Sequence, residues 1–294
     1  WWLALLHGDG VQVQALRVAQ LTVRDQRPAT PTEPLQQLTL PLPISLPFDL
    51  QRLDYQGPTQ VTLDALRGHY RYDRTDRHQL RLDELALAQG RYSGELQLDG
   101  KAPMALDAKL RGQLQVLQWR THTLRATAQL QGSLAGPQAQ LQLQGHIQPN
   151  QPLPGGPSAP EAHLDAELRP WAPQPLHQAD VSVKHLDLAA LWPGAPRTEL
   201  SGRVQATPTD NQWTAEADLS NSLPGPWDHQ RLPLERLRAQ VRQTGERQWT
   251  LTQLTANAGQ GLLQGQGTLL WGTAPGDIQA NGQLTWAGLN PAAL

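Results

Sequence analysis

Two imidazole–carboxylate pairs are the first residues whose types and spacing could do chemistry. His163 and Asp165, and His185 and Asp187, each stand two residues apart, which places both members on one face if the segment is a β-strand. A histidine oriented by a carboxylate can act as a general base or, with further ligands, hold a metal. None of the nine histidines has a partner at His-x-x-x-His spacing, and no third ligand is indicated. Both pairs therefore read as solvated strand faces. Gly259, Gly261, Gly265 and Gly267 have the glycine density of a phosphate loop. Their spacing misses the dinucleotide fingerprint and no helical pattern follows, so they read as bends or close approaches within strands. No Gly-x-Ser-x-Gly elbow exists, and with no cysteine the chain has neither thiolate chemistry nor disulfides. The expectation is a non-enzymatic chain without catalytic residues, metal or cofactor.

The elements that would position any site are strands. From Leu124 onward Leu124, Ala126, Ala128, Leu130, Gly132 and Leu134 alternate with Arg125, Thr127, Gln129, Gln131 and Ser133. After Ala135-Gly136-Pro137-Gln138 the alternation resumes with Ala139, Leu141, Leu143, Gly145 and Ile147 against Gln140, Gln142, Gln144 and His146. Period-two alternation around a Gly-Pro break predicts a β-hairpin with one apolar and one wet face, and a one-residue slip would expose the apolar set. Tyr92, Gly94, Leu96 and Leu98 run into the turn Asp99–Pro103, and Leu106, Ala108, Leu110, Gly112, Leu114 and Val116 follow. Leu80 and Leu82 change phase before Leu85 and Leu87, which predicts a bulge. Asp73–Arg77 reads as a further polar turn. Leu263, Gly265, Gly267, Leu269 and Trp271 meet Thr273–Gly276, and Ile278, Ala280, Gly282, Leu284 and Trp286 return. About seventeen such strands are expected. Strands at 92–98, 104–116, 120–134 and 138–147 should form one antiparallel meander.

Composition narrows the fold. Leu and Ala dominate the apolar residues, with one Phe, one Met and four Tyr, a thin supply for a sandwich core filled from two sheets. The ten Trp are spread along the chain, and each is read as packing or edge protection before lipid contact. The formal net charge of −2 and scattered Arg lack the basic stripe of a nucleic-acid binder. Pro-rich stretches at 27–34 and 149–160 read as loops, the second a possible break within one architecture. The apolar run Trp1–Leu6 is too short to span a bilayer, and the chain reads as an excised piece of something longer.

A faint repeat relates Leu186–Leu191 to Leu289–Leu294. The Leu-x-Leu-x-Gly strands, Leu186–Pro193 leading to Leu200–Val204, Asn221 followed by Gly225–Asp228, then Arg231–Leu234 and Gly259–Gly261, resemble the TamB/AsmA-like envelope proteins. The sharper motifs lie within 180–294. The resemblance implies a long, strongly curled antiparallel sheet, a U-shaped β-taco with an apolar inner groove. It further implies a periplasmic protein anchored to the inner membrane, with the anchor and a C-terminal part that meets an outer-membrane barrel partner both outside this chain.

The function it implies is passage of phospholipid between inner and outer membranes. The expected groove lining is Leu96 and Leu98; Leu106, Ala108, Leu110, Leu114 and Val116; Leu124, Ala126, Ala128 and Leu130; and Leu141, Leu143 and Ile147. Towards the end it is Leu263, Leu269 and Trp271, with Ile278, Ala280, Leu284 and Trp286. Seventeen strands about 4.8 Å apart would extend roughly 80 Å, and an acyl chain is near 15 Å long, so several chains would fit. The alternative is a structural spacer in an outer-membrane protein assembly module, its apolar face closed upon itself. How that face is covered separates the two.

Overall fold

The computed structural model describes residues 11–24, 33–57, 60–87, 90–115, 123–150, 160–172, 175–191, 195–209, 212–245, 248–271, 278–288 and 290. Seventeen strands, assigned to a single mostly antiparallel sheet, account for nearly all of them. The longest helix among the described residues is the single turn Leu188–Leu191, and no helix is long and apolar enough to cross a membrane. By contacts the chain divides into two units, Trp1–His146 with Glu167–Leu176, and Ile147–Ala166 with His177–Leu294.

In the first unit β1 (Val11–Gln12) and β2 (Leu16–Arg24) both pair with β3 (Ile44–Gln56), and both are parallel to it. This departs from the uniformly antiparallel sheet expected. Val11 of β1 lies beside Ile44 and Leu16 of β2 beside Phe48, so all three strands run in the same direction. An antiparallel meander then runs through β4 (Gln60–Tyr72), β5 (Arg77–Leu87), β6 (Gly90–Asp99), β7 (Ala105–Gln115) and β8 (Thr123–Ser133) to β9 (Gln140–Pro149). The phase change at Leu82–Leu85 is a register shift between β5 and β6, as the alternation predicts. The turn at 73–77 forms because Asp73 Oδ1 accepts from the Thr75 and Arg77 amides, an Asx turn.

The second unit contains β10 (Glu161–Leu168) up to Ala166, β11 (Leu176–Leu186) from His177, and β12 (Leu200–Thr209). β13 (Gln212–Asn221), β14 (Leu234–Gln243), β15 (Gln248–Ala258), β16 (Gly261–Trp271) and β17 (Ile278–Ala287) follow. From β11 to β17 each strand is antiparallel to the next. Gly259 and Gln260, both at positive φ, turn β15 directly into β16. Two such residues form the hairpin turn whose twist matches the flanking strands, which accounts for the glycine-rich stretch without a phosphate. Within each unit the sheet is open, neither closed nor strongly curled.

Buried side chains form a cluster at one end of the first unit, with Leu50, Leu85 and Leu124 buried elsewhere along its strands, and a polar network in the second. In the first, Leu98, Met104, Leu106 and Leu141 form a cluster onto which Leu96, Leu130, Leu134 and Leu168 pack. The Trp171 indole seals it by donating from Nε1 to the Leu134 carbonyl (2.7 Å). Residues 33–43 form a strap across the turns at this end. Leu38 N donates to Gly100 O (2.7 Å) and Gly136 N to Leu35 O (2.8 Å). Buried His78 joins it: Nε2 lies 2.7 Å from Leu38 O and Nδ1 2.7 Å from Tyr70 Oη. A carbonyl can only accept, so Nε2 carries a proton and donates it to Leu38 O. In the second unit Thr198 and Asn221 are buried in a polar network. Asn221 Oδ1 accepts from the Glu199 and Leu223 amides while Nδ2 donates to Leu232 O.

Candidate functional site: the apolar sheet face

Each strand places alternate residues on one face, and the pairing registers align these into apolar rows. One row of the first unit reads Phe48, Gly68, Leu82, Gly94, Leu110 and Ala128. Another reads Leu46, Tyr70, Leu80, Leu96, Ala108 and Leu130. In the second unit Ala239, Leu254, Gly265 and Leu284 line up the same way.

Large beside small is the rule in several rows, and it has a packing consequence. A Cβ at Gly68 would meet the Phe48 ring, one at Gly94 the Leu110 side chain, one at Gly112 the Tyr92 ring and one at Gly265 the Leu284 side chain. The large side chains lie sideways over the glycine of the next strand rather than standing off the sheet. The face is therefore a thin apolar film that needs no opposing layer to fill its gaps. Gly132, at φ +147°, adds a backbone approach: a Cβ there would collide with the Gln140 carbonyl.

Exposure follows from this geometry. Mid-strand residues of the face, such as Tyr92, Leu96, Ala108, Leu110, Leu114, Ala126, Ala128, Leu130 and Leu143, are half-buried, whereas their alternates Arg91, Glu95, Lys109, Arg125 and Gln142 are exposed. Solvent therefore reaches the middle of these rows along much of the face. Burial pushes the Tyr92 phenol pKa up, as expected for a hydroxyl held against this film.

Of the residues expected to line a groove, Leu98, Leu106 and Leu141 sit in the end cluster, and Leu124, opposite Leu114, is also buried. Ile147 is half-buried and belongs to the second unit. Leu263 and Leu269 are half-buried on β16; Ala280, Leu284 and Trp286 are exposed on β17, with Leu284 at 66% and Trp286 at 40%. Trp271 pairs with Ile278 in register, but both side chains lie outside the described residues. So do Val116, Trp119, the turn Thr273–Gly276, the loop 151–159, nearly all of the second repeat copy and the opening run Trp1–Leu6.

Of the two imidazole–carboxylate pairs, one holds and one comes apart. His163 Nε2 does meet Asp165 Oδ2 at 2.6 Å, half-exposed on its strand. His185, however, pairs with Glu199 (2.8 Å), while Asp187 Oδ1 accepts from the Ala189 and Thr198 amides. No cluster of three metal-ligating side chains occurs among the described residues.

The sequence reading missed the extension of the face over β3–β5 and over β12–β15. Its signal is the same alternation: Ile44, Leu46, Phe48 and Leu50, then a phase change to Leu53 and Tyr55, and in the second unit Val204, Ala206, Leu219, Leu237, Leu251 and Leu254. The buried His78 was missed as well. Comparisons with protein-family models, curated proteins and solved structures give no match to this chain.

Proposed function

We propose that this chain is a segment of a lipid conduit, its apolar face receiving phospholipid acyl chains, in the manner of the TamB/AsmA-like proteins it resembles. The observation that carries the reading is the exposure of the apolar face: rows of Leu and Ala side chains stay half-exposed along mid-strand. Each methylene removed from water is worth about 0.8 kcal/mol, so an empty wet face is a standing cost that a lipid chain would relieve. The sheet's bending into a U-shaped groove around its cargo is the finer arrangement this function requires. On this reading the protein works in the periplasm, anchored to the inner membrane and meeting an outer-membrane barrel partner through segments outside this chain. It carries out no catalysis and requires no cofactor.

The test places a photoreactive residue at Leu110, half-exposed in mid-face between Gly94 and Ala128. Leu141 would be a poor position, being buried in the end cluster. Lipid crosslinks are expected in the parent and lost in Ala128→Asp, because a charge at hydrocarbon depth costs about 2.5–3.5 kcal/mol. The β-signal in circular dichroism should survive, since a half-exposed Asp can reach water. Absence of lipid crosslinks in the parent sinks the conduit. It would favour a structural spacer of an outer-membrane assembly module, which the strap and the buried polar network at the unit ends would suit.

A further inference from the structure

We infer that the Tyr92 hydroxyl fixes the polar end of an acyl chain on the apolar face, donating a hydrogen bond to its ester or carboxyl oxygen. The inference rests on the conduit reading and adds to it a place for the head of the cargo. The face of β6–β8 is apolar all round this one group. Tyr92 shares a row with Leu85, Gly112 and Ala126. On one side lies the row of Gly90, Leu114 and Leu124, on the other that of Gly94, Leu110 and Ala128.

The ring lies down on this film. A Cβ at Gly112 would meet the ring, and one at Gly90 would meet both the ring and the hydroxyl, so Oη points along β6 towards its first residue. Among the described residues no protein group bonds that hydroxyl, whereas Tyr70 Oη meets His78 and Tyr72 Oη donates to Asp76. A phenol held against apolar side chains ordinarily finds a hydrogen-bond partner. Its pKa is raised by burial, so near neutral pH it keeps its proton and is a donor. An acyl ester or carboxyl oxygen arriving with an apolar chain is the acceptor that such a donor lacks.

Length fits a single chain. Leu98 stands six residues beyond Tyr92 on β6, roughly 20 Å at 3.3 Å per residue. Over that span Leu96, Ala108, Leu110 and Leu130 are half-buried, and at its end the cluster of Leu98, Leu106 and Leu141 begins. A chain of about 15 Å with its carbonyl beside Tyr92 would lie along the strands and end short of that cluster.

The test uses the chain with the photoreactive residue at Leu110. It is titrated with vesicles of diacyl phosphatidylglycerol, with vesicles of the dialkyl ether analogue, and with palmitic acid. Tyr92→Phe keeps the ring and removes the donor. Half-saturation of crosslinking by the diacyl lipid should need about fivefold more lipid in Tyr92→Phe, as loss of one neutral hydrogen bond implies. The ether analogue has no carbonyl and should bind parent and variant alike, so the ester preference of the parent disappears with the hydroxyl. Urea unfolding without lipid should give one midpoint for both, because the substitution breaks no bond within the protein. A shift with palmitic acid but not with the diacyl lipid would assign the site to a free fatty acid. Parent crosslinks with unaltered half-saturation in Tyr92→Phe for both acyl ligands overturn the role of Tyr92 and leave the conduit standing. Absence of crosslinks in the parent overturns both.

Discussion

Leu106 and Leu110 lie on the same strand and the same face, two pleat repeats apart, yet they should respond very differently to truncation. Leu106 is 8% exposed and packed among Leu98, Met104 and Leu141. Leu106→Ala removes buried methyl groups from a formed cluster and leaves a cavity, at a cost of about 2–5 kcal/mol. Leu110 faces Gly94 on one side and Ala128 on the other and is half-exposed. Full burial of a Leu side chain is worth about 1.5–3 kcal/mol, so half of that, about 1 kcal/mol, is the expected cost of Leu110→Ala. Little cavity follows, because solvent already reaches the position. Urea unfolding monitored by circular dichroism measures both against the parent. A Leu110→Ala loss as large as that of Leu106→Ala would mean that something covers mid-face, and the uncovered film would be wrong.

Asn221→Ala should cost about 3 kcal/mol, since it strands the Glu199 and Leu223 amides and the Leu232 carbonyl at a buried position; a loss below about 1 kcal/mol in urea unfolding would refute the network's importance. Gly112→Ala should destabilise by about 1–3 kcal/mol because its methyl would fall on the Tyr92 ring. In a Tyr92→Ala background the same change should be nearly neutral, which a double-mutant cycle measures. Hydrogen bonds from Arg203 hold the Asp180 carboxyl below its usual pKa. Its contribution is thus present above the unfolded value of about 3.9 and lost as pH falls through the lower folded value. Asp180→Asn should flatten the acid limb of the unfolding midpoint against pH, and an unchanged limb would count against the pairing.

Much of the strand architecture was legible because period two is written plainly in Leu, Gln and Gly. The hairpin around Ala135–Gln138, the bulge at Leu82–Leu85 and the polar turn at Asp73–Arg77 all follow from residue types at short range. Direction of pairing is less local. Nothing in Leu16–Arg24 distinguishes a parallel from an antiparallel partner, since either places the same residues on the same face. Burial was legible only as parity. Leu141 and Leu143 alternate identically, and what separates them is the arrival of Met104, Leu168 and Trp171 at one end of the sheet. The pairing of His185 with Asp187 failed for a similar reason: His185 adopts positive φ and meets Glu199, just before the neighbouring strand, instead of Asp187.

The strap at 33–43 has a consequence for the order in which this chain can assemble. It is synthesised before the hairpins it ties, and its bonds to Gly100, Gly136 and His78 join positions distant in sequence, forty residues apart in the case of Leu38 and His78. The hairpins bring together near neighbours and can close early, whereas the strap must wait for three turns to exist before it has a surface to cross. The strap is therefore a late-forming tie: its backbone bonds join turns that otherwise close separately.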